Sequence, residues 1–257
     1  MSDHWEVYLT LVGEERQPAS VSFDYGIVEE MRTLEADTLF VIVYRFPAKD
    51  EQGFPAEEAW DALEAFDEGI FAWAESAEGL VFAGRALIDG MARCYIYGTP
   101  AREPDVRQFV EATNAKHAGT ELEVKADPQR EAYWDFLLPN EQEWRLINDN
   151  KVLHALEEEG DTLKRHRRVD HFFYFSEESQ RDLFIQWAQK NRYKIESVGP
   201  SEDPDLPFAL NIHHKTALVS PDVHEMTLTL DAKAEEYNGT YDGWVSEAVQ
   251  KKDDKGS

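Results

Sequence analysis

The sequence predicts an α+β protein built from two ferredoxin-like (split βαβ) α/β sandwich domains with antiparallel sheets. In the C-terminal part, the hydrophobic periodicity changes in the order strand, helix, strand, strand, helix, strand, which is the order of that fold. The 257 residues, of which 42% are hydrophobic, also suit two modest cores better than one large core. An antiparallel sheet with two helices on one side accounts for the N-terminal part.

The N-terminal domain is assigned to residues 1–140 and opens with a predicted β-hairpin. Apolar and polar residues alternate at 5–12 and 19–25, with turn-forming residues between the two segments. A later pair of strands meets at Asp89-Gly90, a dipeptide suited to a turn with positive φ. The remaining predicted elements are a buried strand at 39–46, a helix from Pro55 to near Gly79 with Trp60 facing inward, strands at 80–87 and 91–97, a helix at 105–117 and a strand at 121–126.

The C-terminal domain is assigned to residues 169–257, behind a helical, charged connection at 141–168. Split βαβ topology places the first strand of this domain between the third and the last. The predicted elements are strands at 171–175, 192–199, 208–219 and 240–249, with helices at 177–190 and 220–237.

Both faces of the first C-terminal strand carry large aromatic side chains. Alternation puts His171, Phe173 and Phe175 on one face, and it puts Phe172 and Tyr174 on the other. Two helices cover one face of such a sheet, and an exposed aromatic patch is unusual on a monomer. The cover for the other face is therefore the N-terminal domain, a second copy of the chain in a homodimer, or a separate protein partner.

The chain is strongly acidic, with 52 acidic and 26 basic side chains and a formal net charge of -26. This charge argues against direct nucleic-acid binding, which normally rests on Lys and Arg neutralising phosphates. One face of the first N-terminal helix collects acidic residues at helical spacing, namely Glu57, Asp61, Glu64 and Glu68. That face is either a solvated helix surface or a docking surface for a basic partner.

The sequence indicates a cytoplasmic protein. Its longest apolar run, at 39–44, is far shorter than the roughly 20 residues of a membrane span. The first four residues lead into a polar strand rather than a secretion signal. A single cysteine, Cys94, cannot form an internal disulfide, which agrees with a reducing compartment.

An enzyme is the first alternative, in the form of a small metal-dependent or acid/base hydrolase that uses sheet histidines and Asp242. The candidate histidines are His171, His213, His214 and His224. However, the sequence lacks the His-x-x-x-His and Cys-x-x-Cys spacings of metal sites, and adjacent histidines on one strand point to opposite faces. No catalytic residue, metal or cofactor is therefore predicted.

A set of short motifs stands out between residues 148 and 249, namely Gly160-Asp161, Val169-Asp170-His171, Phe173-Tyr174-Phe175, Trp187-Ala188 and Tyr241-Asp242-Gly243-Trp244. Together they resemble the regulator of ribonuclease activity B, an inhibitor domain of ribonuclease E. The stretch at 5–139 is similar to a bacterial domain of unknown function that is often fused ahead of it. The resemblance implies binding to ribonuclease E, mainly outside its catalytic centre, which alters RNA decay. Residues 251–255 read Lys-Lys-Asp-Asp-Lys, where the stand-alone regulator carries an acidic tail.

The sequence therefore predicts a non-enzymatic, acidic regulatory protein that binds and modulates an RNA-processing enzyme, such as ribonuclease E or another basic protein. A generic protein-interaction module with a different partner is the second alternative. The predicted partner contacts in the C-terminal domain are Asp170, His171, Phe173, Tyr174, Tyr241, Asp242, Gly243 and Trp244. The acidic residues Glu57, Asp61, Glu64 and Glu68 form the second predicted contact group.

Overall fold

The chain contains two compact units, each built on an antiparallel sheet with helices. The computed structural model describes residues 4–249, and the terminal sequence at 251–255 lies outside them. Unit 1 is Met1–Glu143 and unit 2 is Trp144–Ser257. The predicted α+β fold class is confirmed, because both sheets are antiparallel and both units contain helices.

Unit 1 has a six-stranded sheet in the order β1-β2-β4-β5-β3-β6. Its elements are β1 (Trp5–Val12), β2 (Gln17–Asp24), α1 (Val28–Thr33), β3 (Thr38–Arg45), α2 (Trp60–Ser76), β4 (Leu80–Ile88), β5 (Met91–Gly98), α3 (Glu103–Asn114), β6 (Thr120–Ala126) and a π-helical turn (Ala132–Leu137). Strands β3 to β6, with α2 and α3, have the strand order of a ferredoxin-like sandwich. The β1–β2 hairpin pairs with β4 and extends this sheet by two strands.

Helices α2 and α3 cover one face of the sheet in unit 1. Leu63, Phe66 and Ile70 recur at helical spacing in α2 and are buried in the main core cluster with β3 and α3. Trp60, predicted to face inward, is instead 50% exposed. Because Ala59 in the preceding turn occupies the buried position, the first residue of α2 points outward.

The π-helical turn packs on the other face of the same sheet. A buried carboxylate, Asp127, precedes the turn and accepts hydrogen bonds from the Tyr97 hydroxyl at 2.7 Å and the Glu131 N–H at 2.8 Å. Tyr8 of β1 donates to the carbonyl oxygen of Phe136 in the turn at 3.1 Å. Neither this turn nor α1 is predicted from the sequence, because six residues are too few to show a helical period.

Unit 2 has a four-stranded sheet in the order β10-β7-β9-β8. Its elements are α4 (Glu141–Glu158), which begins in the last residues of unit 1, β7 (Arg167–Phe175), α5 (Glu178–Lys190), β8 (Lys194–Pro200), β9 (Phe208–Thr216), α6 (Ser220–Glu236) and β10 (Gly239–Val245). The first strand, β7, lies between the third and the last, as split βαβ topology predicts.

Helix α4 contributes to the core of unit 2. Leu153 and Leu156 form a buried cluster with Leu163, Val169 of β7 and Trp244 of β10. The segment predicted as a connection at 141–168 therefore supplies core residues, and β7 already begins at its end. Within residues 4–249, no helix is both long and apolar enough to cross a membrane.

Candidate functional site

The Tyr-Asp-Gly-Trp motif forms a β-bulge in β10. Tyr241 lies opposite Phe173 of β7 and Trp244 lies opposite His171, so that Asp242 is the extra residue. Regular alternation would place residues 241 and 244 on opposite faces of the sheet. The bulge instead turns both aromatic side chains toward the face that the helices cover.

Tyr241 and His171 belong to a buried chain of polar groups. Nδ1 of His171 lies 2.8 Å from the Tyr241 hydroxyl oxygen, and Nε2 lies 3.2 Å from Nδ1 of His214. Burial, helped by His214, lowers the pKa of His171 to about 3, and burial also lowers the pKa of His214. Burial raises the pKa of Tyr241 well above its ordinary value. The three side chains therefore stay uncharged at neutral pH and link β7, β9 and β10.

Trp244 connects β10 to two helices through Asp149 of α4. The indole Nε1 donates to Oδ1 of Asp149 at 2.7 Å, and the Thr227 hydroxyl of α6 donates to the other carboxylate oxygen. Asp149 is only 2% exposed, and its burial raises the pKa of the carboxyl group against the effect of these hydrogen bonds. The sequence signal for this residue is its place four positions before Leu153, in the apolar stripe of α4.

Four of the eight predicted partner contacts in unit 2 are core residues, which corrects that part of the prediction. His171 and Phe173 have no exposed surface, and Tyr241 and Trp244 are 1% and 6% exposed. Alternation in β7 and the bulge in β10 direct all four toward the helices. They therefore stabilise the domain and do not form a contact surface.

The other four predicted contacts, Asp170, Tyr174, Asp242 and Gly243, are at least partly exposed. Alternation in β7 places Asp170 and Tyr174 on the sheet face opposite α5 and α6, together with Phe172. We call this surface, formed by Asp170, Phe172 and Tyr174 with their neighbours on β8 and β9, the open face of unit 2. Phe172 is not among the predicted contacts, although alternation along β7 places it on this face.

Charged and polar side chains lie at one end of the open face, beyond Phe172. Arg168 lies 2.6 Å from Asp170 and 2.8 Å from Glu196, and His213 lies 3.5 Å from the same Glu196 oxygen. Within the described part of the chain, Oδ1 of Asn211 on β9 is buried and has no hydrogen-bond partner. An unpaired buried acceptor of this kind costs free energy. An apolar centre with a polar rim is also the usual arrangement of a protein interface.

The residues of the alternative enzyme site do not converge. His171 and His214 contact each other on the helix-covered face, whereas His213 points to the open face. His224 lies on α6, and Asp242 is exposed in the bulge. Among residues 4–249, no group of three or more His, Cys, Asp or Glu side chains is placed to hold a metal ion.

The acidic residues of unit 1 form one exposed surface. Glu57 lies in the turn before α2, and Asp61, Glu64 and Glu68 lie along the helix, all of them exposed. Helical spacing puts Asp61, Glu64 and Glu68 on one side of α2, whereas Glu57 belongs to the short turn before the helix. We call this surface the acidic face of α2, and the exposed Trp60 lies beside it.

Family models match both units. Residues 3–138 match the model described as Family of unknown function (DUF695), and residues 146–245 match Regulator of ribonuclease activity B. The resemblance expected from the short motifs is thus confirmed, and the second match supports a regulatory role. Comparison with curated proteins gives no match. A solved structure described as an unknown protein from Galdieria sulphuraria covers 84% of this chain and 99% of its own at 11% identity, but its TM-score of 0.22 is too low to support an argument.

Proposed function

The chain belongs to the family of unknown function DUF695 through residues 3–138 and carries a Regulator of ribonuclease activity B domain at residues 146–245, and from that premise we propose that it binds and modulates ribonuclease E. In this proposal the protein is a non-enzymatic, cytoplasmic regulator that changes RNA cleavage without cutting RNA. The match at residues 146–245 is the observation that carries the proposal.

We assign the contact with ribonuclease E to the open face of unit 2. Phe172 and Tyr174 would supply the apolar centre of the interface, where aromatic residues contribute most to binding. The ion pairs of Arg168 with Asp170 and Glu196 would lie at the rim of this contact. Asp242, which is exposed, and Gly243, which is partly exposed, lie at the bulge of β10 beside β7 and belong to this proposed contact.

The acidic face of α2 would act at longer range. Glu57, Asp61, Glu64 and Glu68 would attract Arg-rich and Lys-rich segments of an RNA-processing enzyme. Exposed charges of this kind increase the association rate more than they increase the final affinity. A generic interaction module with another basic partner would use the same two surfaces.

The first experiment titrates the purified full chain into ribonuclease E at low ionic strength. Complex formation is followed by fluorescence anisotropy, and cleavage of a model RNA is measured in the same samples. We expect a complex and slower cleavage. Replacing Tyr174 with alanine should weaken binding at least about tenfold, because the side chain lies at the centre of the proposed interface.

Leu183→Ala is the matched control, because Leu183 is 46% exposed on α5, on the helix-covered side of unit 2. Its binding should equal that of the unchanged chain. No binding of the unchanged chain would exclude ribonuclease E as partner. Normal binding of a folded Tyr174→Ala variant would exclude the open face, and a dimer of the chain alone that dissociates in this variant would assign that face to a second copy.

A further inference from the structure

The β1–β2 hairpin of unit 1 carries an exposed aliphatic stripe. Val7, Leu9 and Leu11 alternate along β1 and are 60%, 68% and 49% exposed. Trp5, on the same side of β1, packs against Phe71 of α2 with ring centroids 5.9 Å apart. The stripe therefore lies on the face of the sheet that α2 and α3 cover elsewhere, beyond the reach of these helices. We call these three residues the hairpin stripe.

The hairpin stripe is held in a fixed position by the opposite side of β1. Tyr8 and Thr10 alternate with the stripe residues and point to the other face. Tyr8 donates to the carbonyl of Phe136 at 3.1 Å, and Thr10 donates to Glu143 at 2.5 Å. The exposed aliphatic side chains are thus presented by a strand that is anchored from behind.

A groove along α2 lies on the same side of the sheet as the stripe, because Phe71 of its lining packs on Trp5 of β1. It has a volume of about 460 Å³ and is lined by Trp60, Leu63, Glu64, Asp67, Glu68 and Phe71. Asp67 pairs with Arg85 of β4, which lies beside Ser22 of β2, and Ser22 lies opposite Val7. These contacts place Asp67, at the groove, over the strand that pairs with the hairpin, and Glu64 and Glu68 lie one helical turn or less from Asp67 on α2.

The size of the uncovered region fits one α-helix. Strands in a sheet are about 4.8 Å apart, and a helix with its side chains is about 10 Å wide, so a helix covers about two strands. Helices α2 and α3 cover the four strands of the ferredoxin-like core. The added hairpin contributes two further strands, β1 and β2, to the same sheet. Three stripe residues at alternate positions span about 14 Å, which matches between two and three helical turns.

We propose that the hairpin stripe and the α2 groove bind a basic amphipathic helix of a partner protein. Its apolar side covers Val7, Leu9 and Leu11, and Lys or Arg residues at its edge pair with Glu64 and Glu68. The formal net charge of -26 favours a basic partner over a second copy of this acidic chain. This site lies in unit 1 and does not depend on the identity of the ribonuclease.

The test uses the full chain and a labelled 18-residue peptide (a length of about 27 Å as a helix) with Leu on one helical face and Lys on the other. A peptide of the same composition in shuffled order, which has no apolar face, is the matched ligand. We expect the amphipathic peptide to bind at least tenfold more tightly than the shuffled one. The double variant Val7→Thr/Leu9→Thr, which keeps strand propensity, should lose at least tenfold in affinity.

Two further variants keep the result interpretable. Val198→Thr changes a residue of unit 2 that is 46% exposed, and it should bind the peptide normally. Glu64→Gln/Glu68→Gln changes exposed helix positions that leave the core intact, and it should weaken binding at low salt. Equal binding of the two peptides, or unchanged binding by the Val7/Leu9 variant, would overturn the proposal. A dimer of the chain alone that dissociates in the Val7/Leu9 variant would overturn it in favour of a second copy.

Discussion

His171 is a histidine whose neutral form is required by the fold. It has no exposed surface, and its two ring nitrogens face Tyr241 and His214 at 2.8 Å and 3.2 Å. A charge on this ring would lie in the low-dielectric core against Tyr241, Tyr193 and His214, none of which is negatively charged at neutral pH, and this explains why the pKa falls to about 3. The residue therefore makes the stability of unit 2 sensitive to pH.

The direction of this sensitivity follows from proton linkage. The unfolded chain takes up a proton on His171 below about pH 6.5, whereas the folded chain does so only near pH 3. The stability contribution is therefore complete above about pH 6.5 and is lost as the pH falls, by about 1.4 kcal/mol per unit. Between about pH 6.5 and 5, the free energy of unfolding should drop by about 2 kcal/mol on account of His171.

Urea unfolding across this pH range, monitored by tryptophan fluorescence, measures the effect. His171→Gln should remove about 2 kcal/mol of the pH-dependent change, whatever its effect on stability at neutral pH. His154→Gln, at an exposed position of α4, is the matched control. An unchanged pH dependence in the His171 variant would contradict the linkage argument.

At the scale of the element, the bulge in β10 depends on Gly243. Its φ of 135° lies in the region that L side chains rarely adopt, although an added Cβ would meet no atom within 4 Å. Gly243→Ala should therefore cost about 1–3 kcal/mol through backbone strain alone. Gly199→Ala in β8 is the matched control, because that site also has open space but no positive φ.

Thermal unfolding of the two alanine variants separates two effects. Both variants lose the flexibility of a glycine, but only Gly243→Ala adds backbone strain. Gly243→Ala should lower the melting temperature by several degrees, and Gly199→Ala should leave it within about one degree. Equal effects would mean that the bulge tolerates an L residue. In that case the glycine would not explain why Tyr241 and Trp244 share a face.

Most elements of the fold can be predicted from the sequence, because apolar residues recur in each of them at the spacing of a helix or of a strand. The strand order of unit 2 follows from its periodicity, and the hairpin at Asp89-Gly90 has its expected positive φ at both residues. The bulge could not be predicted, since strict alternation assigns residues 241 and 244 to opposite faces. The resemblance names Trp244 as a partner contact through its motif, and no sequence pattern pairs its indole with Asp149.

At the scale of the whole molecule, each unit contains the same four-strand order. The order β6-β3-β5-β4 in unit 1 corresponds to β10-β7-β9-β8 in unit 2, and only unit 1 adds a hairpin to it. The first helices of the two sandwiches also have similar sequences near their C-terminal ends. Helix α2 has Phe71-Ala-Trp73-Ala74, and helix α5 has Phe184-Ile-Gln-Trp187-Ala188. The added hairpin and the acidic face of α2 are the features of unit 1 on which its two proposed contacts rest.

Because the net charge is -26, we expect the rate at which the protein associates with a basic partner to depend on salt. Exposed charges act over about 10 Å at 0.1 M salt and over about 3 Å at 1 M salt, so association with ribonuclease E should slow steeply as salt rises. Dissociation should change less, because it depends on the desolvated contacts of the open face. Stopped-flow association rates across a salt series test this difference.

Two variants with the same change of net charge locate the effect. Glu64→Gln/Glu68→Gln neutralises two residues of the acidic face of α2, and Glu157→Gln/Glu158→Gln neutralises two exposed residues of α4. If the acidic face steers the partner, the α2 variant should slow association severalfold at low salt and flatten the salt dependence, while the α4 variant should have a smaller effect. Equal slowing by both variants would mean that the total charge attracts the partner, and a flat salt series for the unchanged chain would exclude electrostatic steering altogether.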